Sequence, residues 1–363
     1  MKYLTFLNAK IKTQNFRKLA TFLITAVLFG ITTVYGQTLT LPYVLSNNMV
    51  LQQNTQAALW GWTAPNTNVQ ITASWGQTAN SVADATGKWS TKIKTPVAVA
   101  GTTQTQHTLT FVGASNTITL TNILIGDVYL CSGQSNMAYI MGPSSAGPGV
   151  LNWESEVAAA NYPNIRLNKS GLRNVTEPYY QNSSTWMECN PTNVKDFSGL
   201  AYYFARHLHN NPNINIPIGV IVAAVGGSTI QTWMSREALS ADPELKSKVQ
   251  DVSTLSNLRY NGMIASYIPF SLSGFLWYQG EANSDVENYS ELYSKLLTAL
   301  INGWRTSWGQ GNVPFYFVQL PVNTGFTPEF RDQFSNTLSV PNTGMAVTLD
   351  LADADMDIHP SNK

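Results

Sequence analysis

Four short segments of the sequence carry side chains that could perform chemistry. The first, CSGQSNM, holds a candidate nucleophile, Ser135, in a turn that contains Gly133. Backbone N–H groups in such a turn, where a strand leads into a helix, can bind an anion. The segment is not the nucleophile elbow of α/β-hydrolases, because Met137 stands where G-x-S-x-G requires glycine. Alone, the pattern is a weak signal, since serine and glycine both favour turns.

The second and third segments offer hydrogen-bond donors. VGGST contains Gly226 and Gly227, and glycine lets the backbone approach a ligand closely and direct an N–H towards it. A tight turn capped by Ser228 would explain the same residues. WYQGEAN supplies Asn283, whose side-chain amide suits a developing oxyanion. Glu281 in the same segment could orient a base or pair with an arginine.

The fourth segment places an acid beside a base. In extended chain, residues i and i+2 point the same way, so Asp357 can reach the ring of His359 and make it a competent general base. The acidic run also resembles a calcium loop, but Ile358 occupies the glycine position and no glutamate closes the loop. A nucleophile, oxyanion donors and an acid–base pair together predict acyl transfer.

We predict neither a metal nor an organic cofactor. Of the four histidines, only His207 and His209 are close together. Two positions apart on a helix, they face different sides, and we expect both at the surface. Of the two cysteines, Cys131 ends an apolar run, so we expect a free, buried thiol rather than a disulfide with Cys189.

The elements that position these segments change character near residue 126. Residues 39–125 show apolar residues at every second position, as at Val69, Ile71 and Ala73, with turn residues at short intervals. Several short alternating strands predict a small, all-β antiparallel sandwich.

Residues 126–363 alternate strands with helices, which predicts a three-layer α/β/α domain with a mainly parallel sheet. Helices are expected over Leu200–Asn210 and Tyr289–Trp304. Ligands bind beyond the carboxyl ends of such strands, where the four segments lie. Short apolar runs predict buried strands at Asp127–Cys131, Asn164–Leu167, Ile218–Ala224, Gly274–Tyr278, Phe315–Leu320 and Met345–Leu349.

Residues 1–36 are predicted to be a signal peptide. A basic stretch ends at Lys18, an apolar run covers residues 19–34, and small residues follow. The alternative is a membrane anchor, for which the run is short. We therefore expect a secreted or periplasmic protein with no membrane attachment after cleavage. Removing this segment leaves 16 basic against 21 acidic side chains, a net charge of −5, which disfavours nucleic acid as a partner.

The four segments CSGQSNM, VGGSTIQTW, WYQGEAN and DIHPSNK resemble the signature blocks of the sialate O-acetylesterase family, a branch of the SGNH hydrolases. NNMVLQQ, LWGW and GKWS resemble the sandwich domain that precedes catalysis in its bacterial members. The resemblance covers most of residues 40–363. It implies that residues 126–363 form an SGNH-type catalytic domain.

The resemblance also assigns roles to the candidate residues. Ser135 would be the nucleophile, with its own N–H as one oxyanion donor, and His359 would be the base. Gly226 or Gly227 would give the second donor and Asn283 the third. The family usually places its acid three residues before the histidine, where this sequence has Met356. Asp357 is therefore the expected acid and Glu281 the alternative.

The activity implied is that of a secreted serine esterase that removes O-acetyl groups from sialic acid, of the 9-O-acetyl type, through an acetyl-serine intermediate. Acetyl-xylan or another acetylated glycan is an alternative substrate, and a non-catalytic glycan-binding protein is a second alternative. The acceptor sugar would be selected by loops such as Gly142–Asn152 and Gly171–Tyr180. Family members usually continue beyond the segment that carries the histidine into a further helix, whereas this sequence stops four residues after His359. We therefore expect a truncated domain whose longer form is more active. The oligomeric state is not predicted.

Overall fold

The computed structural model of the chain describes residues 38–101, 103–249, 257–284, 290–323, 325–351 and 358–363. The predicted signal peptide at residues 1–36 lies outside this part of the chain. No helix in the described ranges is long and apolar enough to cross a membrane.

The first described residues form short strands whose buried positions alternate. Val69, Ile71 and Ala73 in β3 are buried and their neighbours exposed, which confirms the predicted period of two. β2 pairs with β5, and β3 pairs with β4 and β6, all antiparallel. The strands are β1 (Val50–Gln52), β2 (Gln56–Trp62), β3 (Asn68–Ala73), β4 (Thr78–Val82), β5 (Lys88–Lys94) and β6 (His107–Val112).

A long strand, β7 (Thr117–Gly133), crosses the predicted domain boundary. Its first half pairs antiparallel with β6, and β1 runs parallel to residues 124–126. Asp127, just past the boundary, accepts hydrogen bonds from the side-chain amides of Gln52 and Gln53 and from the Ser273 hydroxyl at 2.9–3.1 Å. Residues 39–125 and 126–363 are therefore joined by a continuous strand, and their division into two domains stays a prediction.

The second half of β7 lies in a large, mainly parallel sheet, so the chain has a mixed α/β fold as predicted. The strand order is β13-β12-β11-β7-β10-β8-β9, and only the edge strand β9 is antiparallel to its neighbour. The sequence analysis missed β9. The further strands are β8 (Tyr162–Lys169), β9 (Trp186–Cys189), β10 (Ile218–Ala224), β11 (Gly274–Tyr278), β12 (Phe315–Val318) and β13 (Thr343–Ala346).

Helices connect the strands of this sheet. The helix predicted over Leu200–Asn210 is confirmed by α4. The helix predicted over Tyr289–Trp304 is shifted, because α8 begins at Tyr293 and ends at Trp308, where Gly309 follows in the left-handed conformation. The helices are α1 (Ser135–Ala138), α2 (Trp153–Ala159), α3 (Pro191–Val194), α4 (Gly199–Asn210), α5 (Arg236–Ser240), α6 (Pro243–Val249), α7 (Glu281–Ser284), α8 (Tyr293–Trp308) and α9 (Pro328–Thr337).

The hydrophobic core contains many aromatic side chains and both cysteines. Trp277 of β11 packs edge-on against Trp233 and Trp304, with ring centroids 6.4 and 5.8 Å apart. Cys131 and Cys189 are both free and buried, which confirms the expectation for Cys131. Burial raises the pKa of both thiols, that of Cys189 to about 12. Both therefore remain protonated and act as small apolar side chains.

Gly133 ends β7 at a position that accepts only glycine. Its φ is +139°, and a Cβ built there would lie 2.0 Å from the backbone oxygen of Tyr278 on β11. The backbones of β7 and β11 therefore approach each other directly before the candidate nucleophile.

We predict that Gly133→Ala lowers the free energy of unfolding by more than about 2 kcal/mol, because an unfavourable φ and a backbone clash add together. Gly76 also has a positive φ, +87°, but open space around its Cβ position. Gly76→Ala is therefore the control and should cost about 1 kcal/mol. Urea unfolding of both variants measures the difference, and equal losses would contradict this interpretation.

Candidate active site

Ser135 lies at the first residue of α1, directly beyond the carboxyl end of β7. The backbone N–H of Gln134 donates to the Tyr278 carbonyl at 2.9 Å, which fixes this turn to β11. Gln134 and Asn136 are buried, whereas Ser135 between them is partly exposed. The turn therefore presents the serine to solvent and holds its two neighbours in the interior.

The turn after β10 brings Gly226 against the serine. A Cβ built on Gly226 would lie 3.5 Å from the Cβ of Ser135, whereas one on Gly227 would meet nothing within 4 Å. The backbone N–H of Val225 donates to the Gly133 carbonyl at 3.1 Å, and the Ser228 hydroxyl closes the turn onto the Val225 carbonyl at 2.7 Å. The turn closed by Ser228 is present, and Gly226 rather than Gly227 is the glycine that faces Ser135.

Asn283, the proposed amide donor, is fully buried on α7. Its Oδ1 accepts from the Ile230 N–H at 3.0 Å and from the Gln279 amide at 2.8 Å. Its Nδ2 donates to the Gln231 side chain at 3.0 Å. An asparagine amide has two hydrogens, so one more is available to another acceptor.

Two glutamines that the sequence analysis did not single out complete this network. The Gln279 Nε2 lies 3.1 Å from both Gln134 Oε1 and the Ser228 carbonyl, in addition to Asn283 Oδ1, so its two hydrogens are shared among three acceptors. Gln134 Oε1 also accepts from the Ala282 N–H at 3.1 Å. Because two donors face Gln134 Oε1, its Nε2 must be the atom that lies 3.5 Å from Ser135 Oγ. Gln134 and Gln279 lie in the motifs GQSNM and QGEAN, and this position was the sequence signal that could have identified them.

The segment that carries His359 is attached to the nucleophile turn. The Ile358 carbonyl accepts from Asn136 Nδ2 at 2.9 Å, and the His359 ring stacks on Tyr139 with centroids 6.1 Å apart. The Ser361 carbonyl accepts from the Leu151 N–H at 2.9 Å. The structure thus brings the His359 segment to the same end of the sheet as Ser135. Asp357, the expected acid, lies outside the described residues.

Glu281, the alternative acid, is buried at the start of α7. Its Oε1 accepts from Asn136 Nδ2 at 2.6 Å, and its Oε2 has no hydrogen-bond partner in the described ranges. Burial raises the pKa of the Glu281 carboxyl, and the hydrogen bond from Asn136 opposes this shift. The sequence left two roles open for Glu281, orienting a base or pairing with an arginine. Among the described residues, Glu281 forms no ion pair with an arginine.

The remaining candidate ligands are scattered. Among residues 38–101, 103–249, 257–284, 290–323, 325–351 and 358–363, no three His, Cys, Asp or Glu side chains are grouped so that they could hold a metal ion. His207 is exposed, but His209 is buried with its Nδ1 3.2 Å from the Ile216 carbonyl. The two face different sides as predicted, and the expectation that both lie at the surface is wrong for His209, because its side of α4 packs towards the core.

Comparisons with known proteins identify the family of this chain. The family model described as carbohydrate esterase, sialic acid-specific acetylesterase, matches residues 125–363. Rat sialate O-acetylesterase is 30% identical, over 88% of this chain and 70% of the rat protein, and the human enzyme is 29% identical, over 88% and 67%. A carbohydrate acetylesterase from Xanthomonas citri superposes with a TM-score of 0.76 at 31% identity, over 90% of this chain and 72% of that one.

The chain, with its α/β fold, is therefore a carboxylic ester hydrolase. The chain belongs to the family of sialic acid-specific acetylesterases among the carbohydrate esterases.

We predict that Glu281→Gln gains stability relative to the wild type as the pH rises from about 4 to about 7. A carboxyl whose pKa is raised by folding contributes stability that is present below its unfolded pKa, about 4.3, and is lost as the pH rises through the folded value. Glutamine has no such titration. The test is the difference in Tm between the two proteins across this pH range, and a constant difference, or one that turns against the variant, would contradict it.

Proposed function

We propose that this protein is a secreted or periplasmic serine esterase that removes O-acetyl groups from sialic acid, of the 9-O-acetyl type. The observation that carries the proposal is the position of Ser135. It is the partly exposed residue of a buried turn and faces Gly226, with the amide of Gln134 beside its hydroxyl and the His359 segment attached to the next residue. Membership of the acetylesterase family supports the choice of an acetyl ester.

The mechanism we propose is a two-step acyl transfer. His359 takes the hydroxyl proton as Ser135 Oγ forms a bond to the acetyl carbonyl carbon. The N–H groups of Ser135 and of Gly226 or Gly227, with the amide of Asn283, stabilise the oxyanion. The bond to the sugar oxygen then breaks, and His359 returns the proton to that oxygen.

Water completes the reaction on the acetyl-serine intermediate. His359 accepts a proton from the water as the water oxygen bonds to the acetyl carbon. It then returns that proton to Ser135 Oγ as the ester bond to Ser135 breaks, and acetic acid leaves and ionises to acetate. Asp357 is proposed to orient His359 through a hydrogen bond, and Glu281 is the alternative for this role. No metal or organic cofactor takes part in this scheme.

The organisation of the chain forms part of the proposal. Residues 1–36 would be a signal peptide, residues 39–125 an all-β sandwich, and residues 126–363 the SGNH-type three-layer catalytic domain. The loops Gly142–Asn152 and Gly171–Tyr180 would select the acceptor sugar. Neither nucleic acid nor membrane lipid is proposed as a partner.

We predict that Ser135→Ala lowers kcat by about 10⁴-fold or more, because it removes the nucleophile on which the other groups act. Ser132→Ala is the control within the same segment. The Ser132 hydroxyl donates its hydrogen to the Ala223 carbonyl on the neighbouring strand at 2.6 Å, and the proposed mechanism gives it no role. Acetate release from 9-O-acetyl sialic acid measures the effect, and near-normal turnover in Ser135→Ala would refute the mechanism.

We predict that Asn283→Ala lowers kcat roughly 10²–10³-fold with a smaller change in KM, since the oxyanion develops only in the transition state. The variant also removes buried hydrogen bonds, so its Tm must be measured under the same conditions. An equal loss in Gln231→Ala, which removes the acceptor of the Asn283 amide, would attribute the effect to the network rather than to the oxyanion.

The acceptor sugar is tested by comparing 9-O-acetyl sialic acid with acetyl-xylan. The proposal expects a higher kcat/KM for the sialic acid ester. Faster acetate release from acetyl-xylan would support the esterase chemistry but contradict sialic acid as the substrate. Binding of both sugars without any acetate release would favour the non-catalytic alternative.

A further inference from the structure

Asn136, the residue directly after Ser135, connects three parts of the site. Its side chain is fully buried. Nδ2 donates to Glu281 Oε1 at 2.6 Å and to the Ile358 carbonyl at 2.9 Å. Oδ1 accepts from the Nζ of Lys363. One amide therefore contacts α7 and both ends of the segment 358–363.

These partners determine which way the Asn136 amide points. A carboxylate and a carbonyl can only accept, and an ammonium group can only donate. A flipped amide would place its oxygen against two acceptors and its hydrogens against a cation. The observed orientation uses both hydrogens of Nδ2, one for Glu281 and one for the Ile358 carbonyl.

The bond to Ile358 acts on the residue next to His359. It fixes the backbone from which the imidazole projects, while the stacking of Tyr139 on the ring limits its tilt. Asn136 lies in α1, which begins at Ser135, and Tyr139 directly follows this helix. A displacement of about 1 Å between two reacting groups is enough to cost roughly 10²-fold in rate.

Glu281 supports Asn136 from the opposite side. It is almost completely buried, and its Oε2 has no hydrogen-bond partner in the part of the chain that the structure describes. A buried carboxyl with one unsatisfied oxygen is costly for folding, so its position needs an explanation. Its contact with Asn136 provides one.

We infer that Asn136 is a positioning residue for the esterase reaction, which holds the His359 segment against the Ser135 turn, and that Glu281 keeps Asn136 in the orientation required. This inference rests on the roles proposed above for Ser135 and His359. It adds a pair of residues that neither attack the ester nor bind its oxyanion.

The test compares Asn136→Asp with the double variant Asn136→Asp, Glu281→Gln. The single change places a second acceptor against both the Ile358 carbonyl and Glu281. The double variant restores the bond between positions 136 and 281 with its direction reversed, since a glutamine amide can donate to the new carboxylate. The contact with Ile358 remains broken in both proteins.

We expect Asn136→Asp to lower kcat roughly 10²-fold, to lower Tm, and to speed amide hydrogen exchange in residues 358–363. In the double variant, most of the Tm should return while kcat and exchange stay as in the single variant. If kcat returns together with Tm, the bond to Ile358 is dispensable and the inference is wrong.

Asn116→Asp is the matched control. Asn116 also joins distant parts of the chain, through bonds to the N–H and carbonyl of Leu39 at 2.8 and 3.2 Å, but among the first strands. Its substitution should leave kcat and exchange in residues 358–363 unchanged.

Hydrogen exchange separates this inference from the proposed function, because it needs no turnover. Ser135→Ala should abolish activity and leave exchange in residues 358–363 as in the wild type. A wild-type chain without turnover would overturn the proposed function, and with it the role of Asn136 in the reaction. An active wild type in which Asn136→Asp changes neither exchange nor kcat would overturn the inference alone.

Discussion

The direct backbone contact between β7 and β11 at Gly133 is the constraint on which the site depends. With no side chain at this position, the Gln134 N–H reaches the Tyr278 carbonyl, and the Gly133 carbonyl accepts from Val225 on the other side. Three parallel strands therefore end within hydrogen-bonding distance of one glycine. The turns that follow them bring Ser135, Gly226 and the Gln279–Asn283 segment together.

Side-chain amides then hold these turns in register. Gln134, Gln279 and Asn283 are buried, and each bonds to a residue from a different turn. A buried polar network of this kind stabilises the fold only when its members are satisfied, so each amide fixes the orientation of the next. The chain of contacts ends at the Gln134 Nε2 beside the Ser135 hydroxyl. Rigid placement of the nucleophile is the consequence.

Local sequence patterns predicted most strands and the four segments of the site, because burial and turn chemistry are properties of short stretches of chain. They did not predict that β7 continues through residue 126. At that point β7 pairs with β1, and Asp127 accepts hydrogen bonds from Gln52, Gln53 and Ser273, all of which are distant in the sequence.

The same limit explains the other differences. Which of Gly226 and Gly227 faces Ser135 depends on the relative position of two turns that are far apart in the sequence. The partner of Glu281 required the fold to bring Asn136 next to it. His209 is buried because α4 packs against the core through a side that spacing alone did not identify. Long-range contacts decided each of these points.

Labelling with a serine-directed fluorophosphonate, followed by mapping of the modified peptide, tests the central claim most directly. The reagent reacts with a serine only where a base and oxyanion donors activate it. Our account predicts stoichiometric modification of the peptide that contains Ser135, with no label elsewhere. A folded protein that stays unlabelled, or that carries the label on another serine, would contradict it.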